Sequence, residues 1–209
     1  MTWNPVEVDL HSITEAGEAG LIHQLASGSI PAAIFRQAIT PSDCDAIMQR
    51  LVDRELLFDT NGEIPDKFRR DSVPEGHYRE GSSDEALKAW QNEAQTEHKL
   101  RIDIGSSLGY RGSDREAFLA HAAESNRLFD ALFAGLEDPV RALYEGLCQI
   151  APNKNVMTAV EPDGRQYGRA IIRAHYGGYS YAPHFDSVRR REKRTDYQAY
   201  RFEHQFAGV

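Results

Sequence analysis

Cysteine is scarce in this chain of 209 residues: Cys44 and Cys148 are the only two, and they are far apart in sequence. Because they form no CxxC pair, the sequence predicts neither a zinc knuckle nor a disulfide framework, and a reduced, cytoplasmic setting is expected. Both cysteines fall on the apolar faces of predicted helices, so we expect them to be small core residues.

Long apolar runs are also missing. No stretch approaches the roughly 20 consecutive apolar residues of a membrane-spanning helix. The first ten residues lack the basic start and apolar run of a secretory signal. We therefore expect no membrane association.

Basic residues are in deficit, with 24 Lys and Arg against 32 Asp and Glu and a net charge of −8. Proteins that neutralise nucleic-acid phosphates usually carry a basic surplus, so no nucleic-acid partner is expected. The one basic run, residues 189–194, is compatible with a solvated loop or with an arginine that meets an anionic substrate. The paired acids Glu161 and Asp163 are expected to be solvated side chains of a turn.

Aromatic residues are plentiful, with 9 Phe, 9 Tyr and 2 Trp, and they supply enough apolar surface for a core.

Local sequence patterns typical of helix N-termini predict three helices. One is capped by Thr40, one is opened by the capping-box pair Ser113 and Glu116, and one begins at Asp138 before a proline. These helices lie within residues 1–150.

The hydrophobic period then changes from 3.6 to 2. Residues 167–176 alternate, with Ile172 and Ala174 on one face of a predicted strand and Ile171, Arg173 and His175 on the other. Further strands are predicted over residues 30–36, 100–104, 179–186 and 200–209. Helices followed by strands indicate an α+β fold. The irregular segment 59–112, with a short helix predicted over 84–98, is expected to shape a substrate pocket.

The densest set of reactive side chains centres on His184 and Asp186. Two residues separated by one on a strand point to the same face, so this imidazole and carboxylate can meet one metal ion. A further histidine would complete the 2-His-1-carboxylate triad of non-haem Fe(II) oxygenases. Taken alone, the pattern also fits a surface pair or a packed core histidine.

The segment Gly178-x-x-Tyr181-x-Pro183-His184-Phe185-Asp186 is similar to the iron-binding strand of Fe(II)/2-oxoglutarate-dependent oxygenases, including prolyl-4-hydroxylase-like members. A wider stretch, residues 162–167 with Ile172-Arg173 and Gly178, resembles the stand-alone alkaloid halogenases of cyanobacterial hapalindole-type pathways. Those halogenases carry glycine where this chain has Asp186. The resemblance therefore implies hydroxylation rather than halogenation.

The resemblance implies a double-stranded β-helix, braced by the N-terminal helices, that holds Fe(II) and uses 2-oxoglutarate and O₂ as cosubstrates. His184 and Asp186 would be metal ligands, and a small-molecule or amino-acid-derived substrate would be hydroxylated with release of succinate and CO₂. His175, Arg173 and Tyr181 are the candidate cosubstrate contacts. For His175, which replaces a tyrosine of the prolyl hydroxylases, a packing role is equally open.

The family pattern also needs a distal histidine followed by a basic residue. His204 is the only histidine after Asp186, and its spacing is shorter than in the family. The remaining residues are too few to close a β-helix. We therefore expect the chain to be the front part of one longer domain, with helical support in 1–150, the start of the β-helix core in 155–209, and the third ligand beyond residue 209. His204 is the secondary candidate for that ligand.

Two alternatives from other functional classes stay open. A cupin-like module could bind a ligand or partner without catalysis, and a His/Asp site could hold Zn²⁺ for hydrolysis. A requirement for 2-oxoglutarate would distinguish the oxygenase from both. The sequence does not indicate an oligomeric state.

Overall fold

The computed structural model describes residues 4–8, 20–36, 38–59, 61–63, 65, 101–106, 114–151, 154–175, 188–189, 194–204, 206 and 208. The strands within these ranges are β1 (Val6–Val8), β2 (Ala33–Phe35), β3 (Arg101–Gly105) and β4 (Ile171–His175). The helices are α1 (Leu21–Ser27), α2 (Pro41–Asp53), α3 (Arg115–Phe133) and α4 (Pro139–Ile150), followed by a 3₁₀ helix at Gln198–Arg201. The mixture of helices and small sheets confirms the α+β class.

The chain forms two compact units, each built from segments distant in sequence. The first comprises Met1–Ala46, Phe133–Met157 and Gly208–Val209, and the second comprises Ile47–Leu132 and Thr158–Ala207. The single domain expected over residues 1–209 stays a prediction.

The first unit contains a short parallel sheet in which Val6 of β1 pairs with Ala33 of β2. Its core is formed by Val8, Leu21 and Ile150, with Phe35 packed against them. β2 was expected within residues 30–36 and is confirmed. β1 and α1 lie in a segment with mixed polarity, and the sequence did not predict them.

The start signals of two helices are confirmed. The Thr40 hydroxyl accepts a hydrogen bond from the Asp43 N–H (3.2 Å) at the start of α2. The Asp138 carboxylate accepts from the N–H groups of Val140 (2.9 Å) and Arg141 (3.2 Å) at the start of α4. Each cap satisfies N–H groups that the helix itself leaves unpaired.

The start of α3 is described from Asp114 onwards. Asp114 caps this helix, because its carboxylate accepts from the Ala117 N–H at 3.0 Å. Ser113, the other member of the predicted capping box, lies outside the described residues. The Glu116 carboxylate accepts from the guanidinium groups of Arg115 and Arg165. An arginine 49 residues away thus competes for the side chain that the local pattern assigned to the helix end.

Two other expectations are wrong. Cys44 and Cys148 are exposed and do not lie in the core. On α4 it is Gly146 and Ile150 that are buried, so Cys148 lies off the buried side.

The strand expected over 200–209 is also wrong, because the described residues there form the end of a 3₁₀ helix and irregular chain.

The second unit holds an antiparallel pair in which Asp103 of β3 lies opposite Arg173 of β4. Ile102 and Ile104 are buried on one side of β3. Their partners on β4 are Ala174 and Ile172, which confirms the predicted alternation. The strand expected over 179–186 and the helix expected over 84–98 lie outside the described residues.

In the described part of the chain, no helix combines the length and the apolar character needed to cross a membrane.

Candidate functional site

The polar face of β4 carries two of the predicted site residues. Arg173 and His175 are two positions apart on one strand, so their side chains leave the same face of the sheet. The Arg173 Nε atom lies 3.6 Å from an Asp103 carboxylate oxygen on the neighbouring strand. Only 24% of the Arg173 side chain and 16% of the Asp103 side chain are exposed, so this pair is largely shielded from water.

The other predicted site residues are not brought together by the described structure. His175 is exposed at the end of β4. His204 is exposed after the 3₁₀ helix, and its ring centroid lies 6.5 Å from that of Phe206. His184, Asp186 and Tyr181 lie outside the described residues. Among the residues that are described, no group of three His, Cys, Asp or Glu side chains could hold a metal ion.

A buried carboxylate network, which the sequence did not predict, lies in the second unit. The side chain of Glu161 is 2% exposed, so the expectation of a solvated acid is wrong. Its carboxylate accepts hydrogen bonds from the Arg115 guanidinium (2.6 Å), the Tyr167 hydroxyl and the Gln198 N–H (3.0 Å). The three donors come from α3, from the irregular segment before β4 and from the 3₁₀ helix.

The hydrogen bonds to Glu161 determine which groups of the network are charged. Burial alone would raise the pKa of Glu161, but the hydrogen bonds from Tyr167, Arg115 and the Gln198 backbone outweigh it and hold that pKa below its ordinary value. Burial, together with the bond to the Glu161 carboxylate, raises the pKa of Tyr167. Glu161 is therefore ionised and Tyr167 protonated at neutral pH, as a charge-assisted hydrogen bond requires.

A second arginine extends the network to the surface. Arg165 donates to Glu116 (2.5 Å) and to Asp163 (2.6 Å). The Arg165 guanidinium lowers the pKa of Asp163 to about 2. Asp163 is half exposed, so solvent screens this pair and its contribution to folding is small.

Aromatic rings complete the surroundings of Glu161. Phe118, Tyr167 and Tyr197 are buried together, and the rings of Phe118 and Tyr197 meet edge to face at a centroid distance of 5.5 Å. Sequence reasoning missed the network because its partners are 46 and 37 residues away from Glu161. The local signal, an acid in a Pro-Asp-Gly turn, is that of a solvated loop.

Comparison with family models, with curated proteins and with solved structures gives no match.

Proposed function

We propose that this chain is an Fe(II)- and 2-oxoglutarate-dependent oxygenase that hydroxylates a small-molecule or amino-acid-derived substrate. The observation that supports the proposal is the shielded, charged face of the β3–β4 pair, from which the chain continues to the His184-x-Asp186 motif. The motif and its resemblance to the family are features of the sequence. The β3–β4 pair is the described part of the structure that precedes the motif in the chain.

The two faces of the pair differ in chemistry. Ile102 and Ile104 are buried on the apolar face. The opposite face carries the Asp103–Arg173 ion pair, which is also mostly covered. A strand pair that is covered on both faces suits the wall of a barrel or sandwich, where one face packs against supporting structure and the other faces the interior. This supports the proposed double-stranded β-helix.

Helix α3 is part of the supporting structure. A Cβ atom at Gly105, the last residue of β3, would lie 3.1 Å from the Phe129 ring of α3. The Asn126 amide of the same helix donates to the Tyr167 carbonyl oxygen (3.1 Å), and its oxygen accepts from the Arg169 N–H (3.1 Å). These contacts hold the segment that leads into β4 against α3.

The donor set of the motif fits the proposed metal. An imidazole and a carboxylate belong to the facial triad that holds Fe(II) with positions left open. His184 follows His175, the last residue of β4, by nine positions. Within this chain, His204 is the secondary candidate for the third ligand.

When bound, iron would supply O₂ activation coupled to decarboxylation of 2-oxoglutarate. One oxygen atom of O₂ would be inserted into a C–H bond of the substrate, and the other would become part of succinate, with release of CO₂. We assign cosubstrate contacts to His175 and Arg173 on the polar face of β4, and to Tyr181. Because Asp103 holds the guanidinium of Arg173, that side chain is oriented before any ligand arrives.

The test is anaerobic titration with Fe(II) and then 2-oxoglutarate. We expect the weak visible charge-transfer band of iron chelated by 2-oxoglutarate, and its loss in His184→Ala and Asp186→Ala. His23→Ala is the matched control, because His23 is an exposed histidine on α1 in the other unit. His204→Ala decides whether the secondary candidate ligand contributes.

Two results would contradict the proposal. Absence of both the band and bound iron after reconstitution would leave the cupin-like binding module. Metal binding that 2-oxoglutarate leaves unchanged would instead favour a metal-dependent hydrolase.

A further inference from the structure

The chain contains a single asparagine that is followed by glycine, at Asn61-Gly62. Both residues are exposed, and they follow closely on the buried residues Leu57 and Phe58. Because glycine has no side chain to cover its backbone nitrogen, this nitrogen can approach the side-chain carbonyl carbon of the residue before it. Asparagine is also one of the thermally labile residue types of proteins. Sequence and exposure therefore favour a reaction between these two residues.

Asp59 holds the turn in which the two residues lie. Its Oδ1 atom accepts hydrogen bonds from the Asn61 backbone N–H (2.9 Å) and from the Asn61 side-chain amide (3.0 Å). Its carbonyl oxygen accepts from the Gly62 N–H (3.2 Å). All three residues are exposed, and hydrogen bonds in exposed turns open at a low cost in free energy. Such bonds slow a reaction of Asn61 with Gly62 without preventing it.

We propose that Asn61 is a site of spontaneous deamidation, and that Asp59 slows the reaction by holding the asparagine side chain. The Gly62 backbone nitrogen forms a bond to the Asn61 side-chain carbonyl carbon. The bond from that carbon to Nδ2 breaks, and the amide group leaves as ammonia with the proton of the Gly62 N–H. Water then opens the succinimide ring at either of its carbonyl carbons, which gives aspartate or isoaspartate. The inference depends on this turn alone and is independent of the proposed iron site.

The product should loosen the turn. A carboxylate at position 61 cannot donate to Asp59 as the amide does, and it adds a negative charge close to Asp59 and Glu63. In the isoaspartyl product the main chain also runs through the side-chain carbon, so the spacing between the hydrogen-bonding groups changes. Deamidation is therefore a one-way chemical change of this exposed turn.

The chain's one Asp-Gly pair, Asp163-Gly164, is an internal comparison, because aspartate forms the same succinimide when its carboxyl group is protonated. Arg165 donates to both carboxylate oxygens of Asp163, from its backbone N–H (3.1 Å) and from its guanidinium (2.6 Å). The same guanidinium lowers the pKa of Asp163 to about 2, so the carboxylate is ionised at neutral pH. We therefore expect Asp163 to form isoaspartate much more slowly than Asn61.

The test is incubation of the metal-free full chain in neutral buffer, followed by proteolysis and mass spectrometry of the peptides that contain Asn61 and Asp163. We expect the mass increase of deamidation to accumulate at Asn61, and to do so faster at higher pH because the Gly62 nitrogen must lose its proton. Methylation of the aged chain by an L-isoaspartyl methyltransferase measures the isoaspartyl product. The chain unfolded in guanidinium chloride should deamidate faster than the folded chain, because the contacts with Asp59 are then lost.

Two variants test the two parts of the proposal. In Gly62→Ala the added Cβ atom would lie 3.7 Å from the Asp59 carbonyl oxygen, an ordinary contact, so the turn should be kept. Its methyl group hinders ring closure, and we expect deamidation roughly tenfold slower or more, since the reacting atoms must approach closely. Asp59→Ala removes the acceptor of two hydrogen bonds and should accelerate deamidation roughly two- to tenfold. Asp53→Ala, at an exposed acid whose described partner is Gln49, is the matched control and should leave the rate unchanged.

Three results would overturn the inference. These are no deamidation of Asn61 in the wild-type chain, equal rates in wild type and Gly62→Ala, and a rate in Asp59→Ala that is no higher than in wild type. Circular dichroism spectra of the variants, compared with that of wild type, check that each change in rate arises in a folded chain.

Discussion

The Tyr167 hydroxyl donates a hydrogen bond to the Glu161 carboxylate and accepts one from the backbone N–H of Ala199 at 3.1 Å. Tyr167 thereby joins the turn that carries Glu161 to the 3₁₀ helix. Arg115 joins the same carboxylate to the start of α3. One buried carboxylate therefore holds three segments of the second unit that share no secondary structure.

Replacing this carboxylate should destabilise the second unit. In Glu161→Gln the amide cannot accept three hydrogen bonds as an anion does, and the Arg115 cation loses its buried counter-charge. We expect a loss of about 3 kcal/mol in the free energy of unfolding. Urea denaturation measures it, with the exposed Glu203→Gln as control, for which a change below about 0.5 kcal/mol is expected. Equal stability of the two variants would contradict the role given to Glu161.

Stability should fall as the pH is lowered from about 5 to about 2. The folded state holds the pKa of Glu161 below its ordinary value and that of Asp163 at about 2. The unfolded chain therefore binds more protons than the folded chain over this range, so acid favours unfolding. The stabilisation that comes from the lowered pKa values is fully present above the pKa values of the unfolded chain, which are near 4.

The acid sensitivity should depend mainly on the buried acid. Urea denaturation over this pH range should give a shallower slope for Glu161→Gln than for wild type. Asp163→Asn should change the slope less, because solvent screens the half-exposed Asp163. A slope for Glu161→Gln identical to that of wild type would show that other carboxylates govern acid unfolding.

Gly105 is a position where no other residue fits. Its φ of +120° is rarely adopted by L-residues, and an added Cβ atom would lie 2.6 Å from the Ala170 carbonyl oxygen. Gly105→Ala should therefore destabilise the β3–β4 pair by about 3 kcal/mol.

Gly28→Ala is the matched control for Gly105→Ala. Gly28 also has a positive φ, +74°, but nothing lies within 4 Å of its added Cβ atom. We expect a cost of about 1 kcal/mol from the left-handed conformation alone. Comparable losses in the two variants, measured by thermal or urea unfolding, would show that the close contact at Gly105 relaxes without cost.

The sequence predicted those elements whose cause is local. The caps at Thr40 and Asp138 depend on residues two or three positions away, and the alternation in β4 is visible in five consecutive residues. The 3₁₀ helix and the burial of Glu161 depend on partners dozens of residues away, and a local pattern contains no information about them. The strand expected over residues 200–209 is not observed among the described residues, and the Glu161 and Tyr167 contacts hold the N–H groups of Gln198 and Ala199 in the 3₁₀ helix.

The candidate site also combines features that the sequence predicted with features that it did not. The sequence placed Arg173 and His175 on one face, and the strand geometry agrees. It did not predict that Asp103 would hold the Arg173 guanidinium, because that contact depends on the register between two distant strands. The assignment of His184 and Asp186 as iron ligands stays a prediction.

The roles of Arg173 and His175 can be separated by comparing stability with cosubstrate affinity. Arg173→Met leaves the largely buried Asp103 carboxylate without its cross-strand ion pair, so we expect a loss of about 2 kcal/mol in unfolding free energy as well as weaker 2-oxoglutarate binding. His175→Ala, at an exposed strand end, should change stability by less than about 0.5 kcal/mol.

If His175 contacts the cosubstrate, His175→Ala should still weaken 2-oxoglutarate binding roughly tenfold, by the loss of one hydrogen bond to a charged group. Titration of the Fe(II)-loaded variants with 2-oxoglutarate, followed by the charge-transfer band, measures the affinity. Wild-type affinity in His175→Ala would assign that residue a packing role and leave Arg173 as the cosubstrate contact on β4.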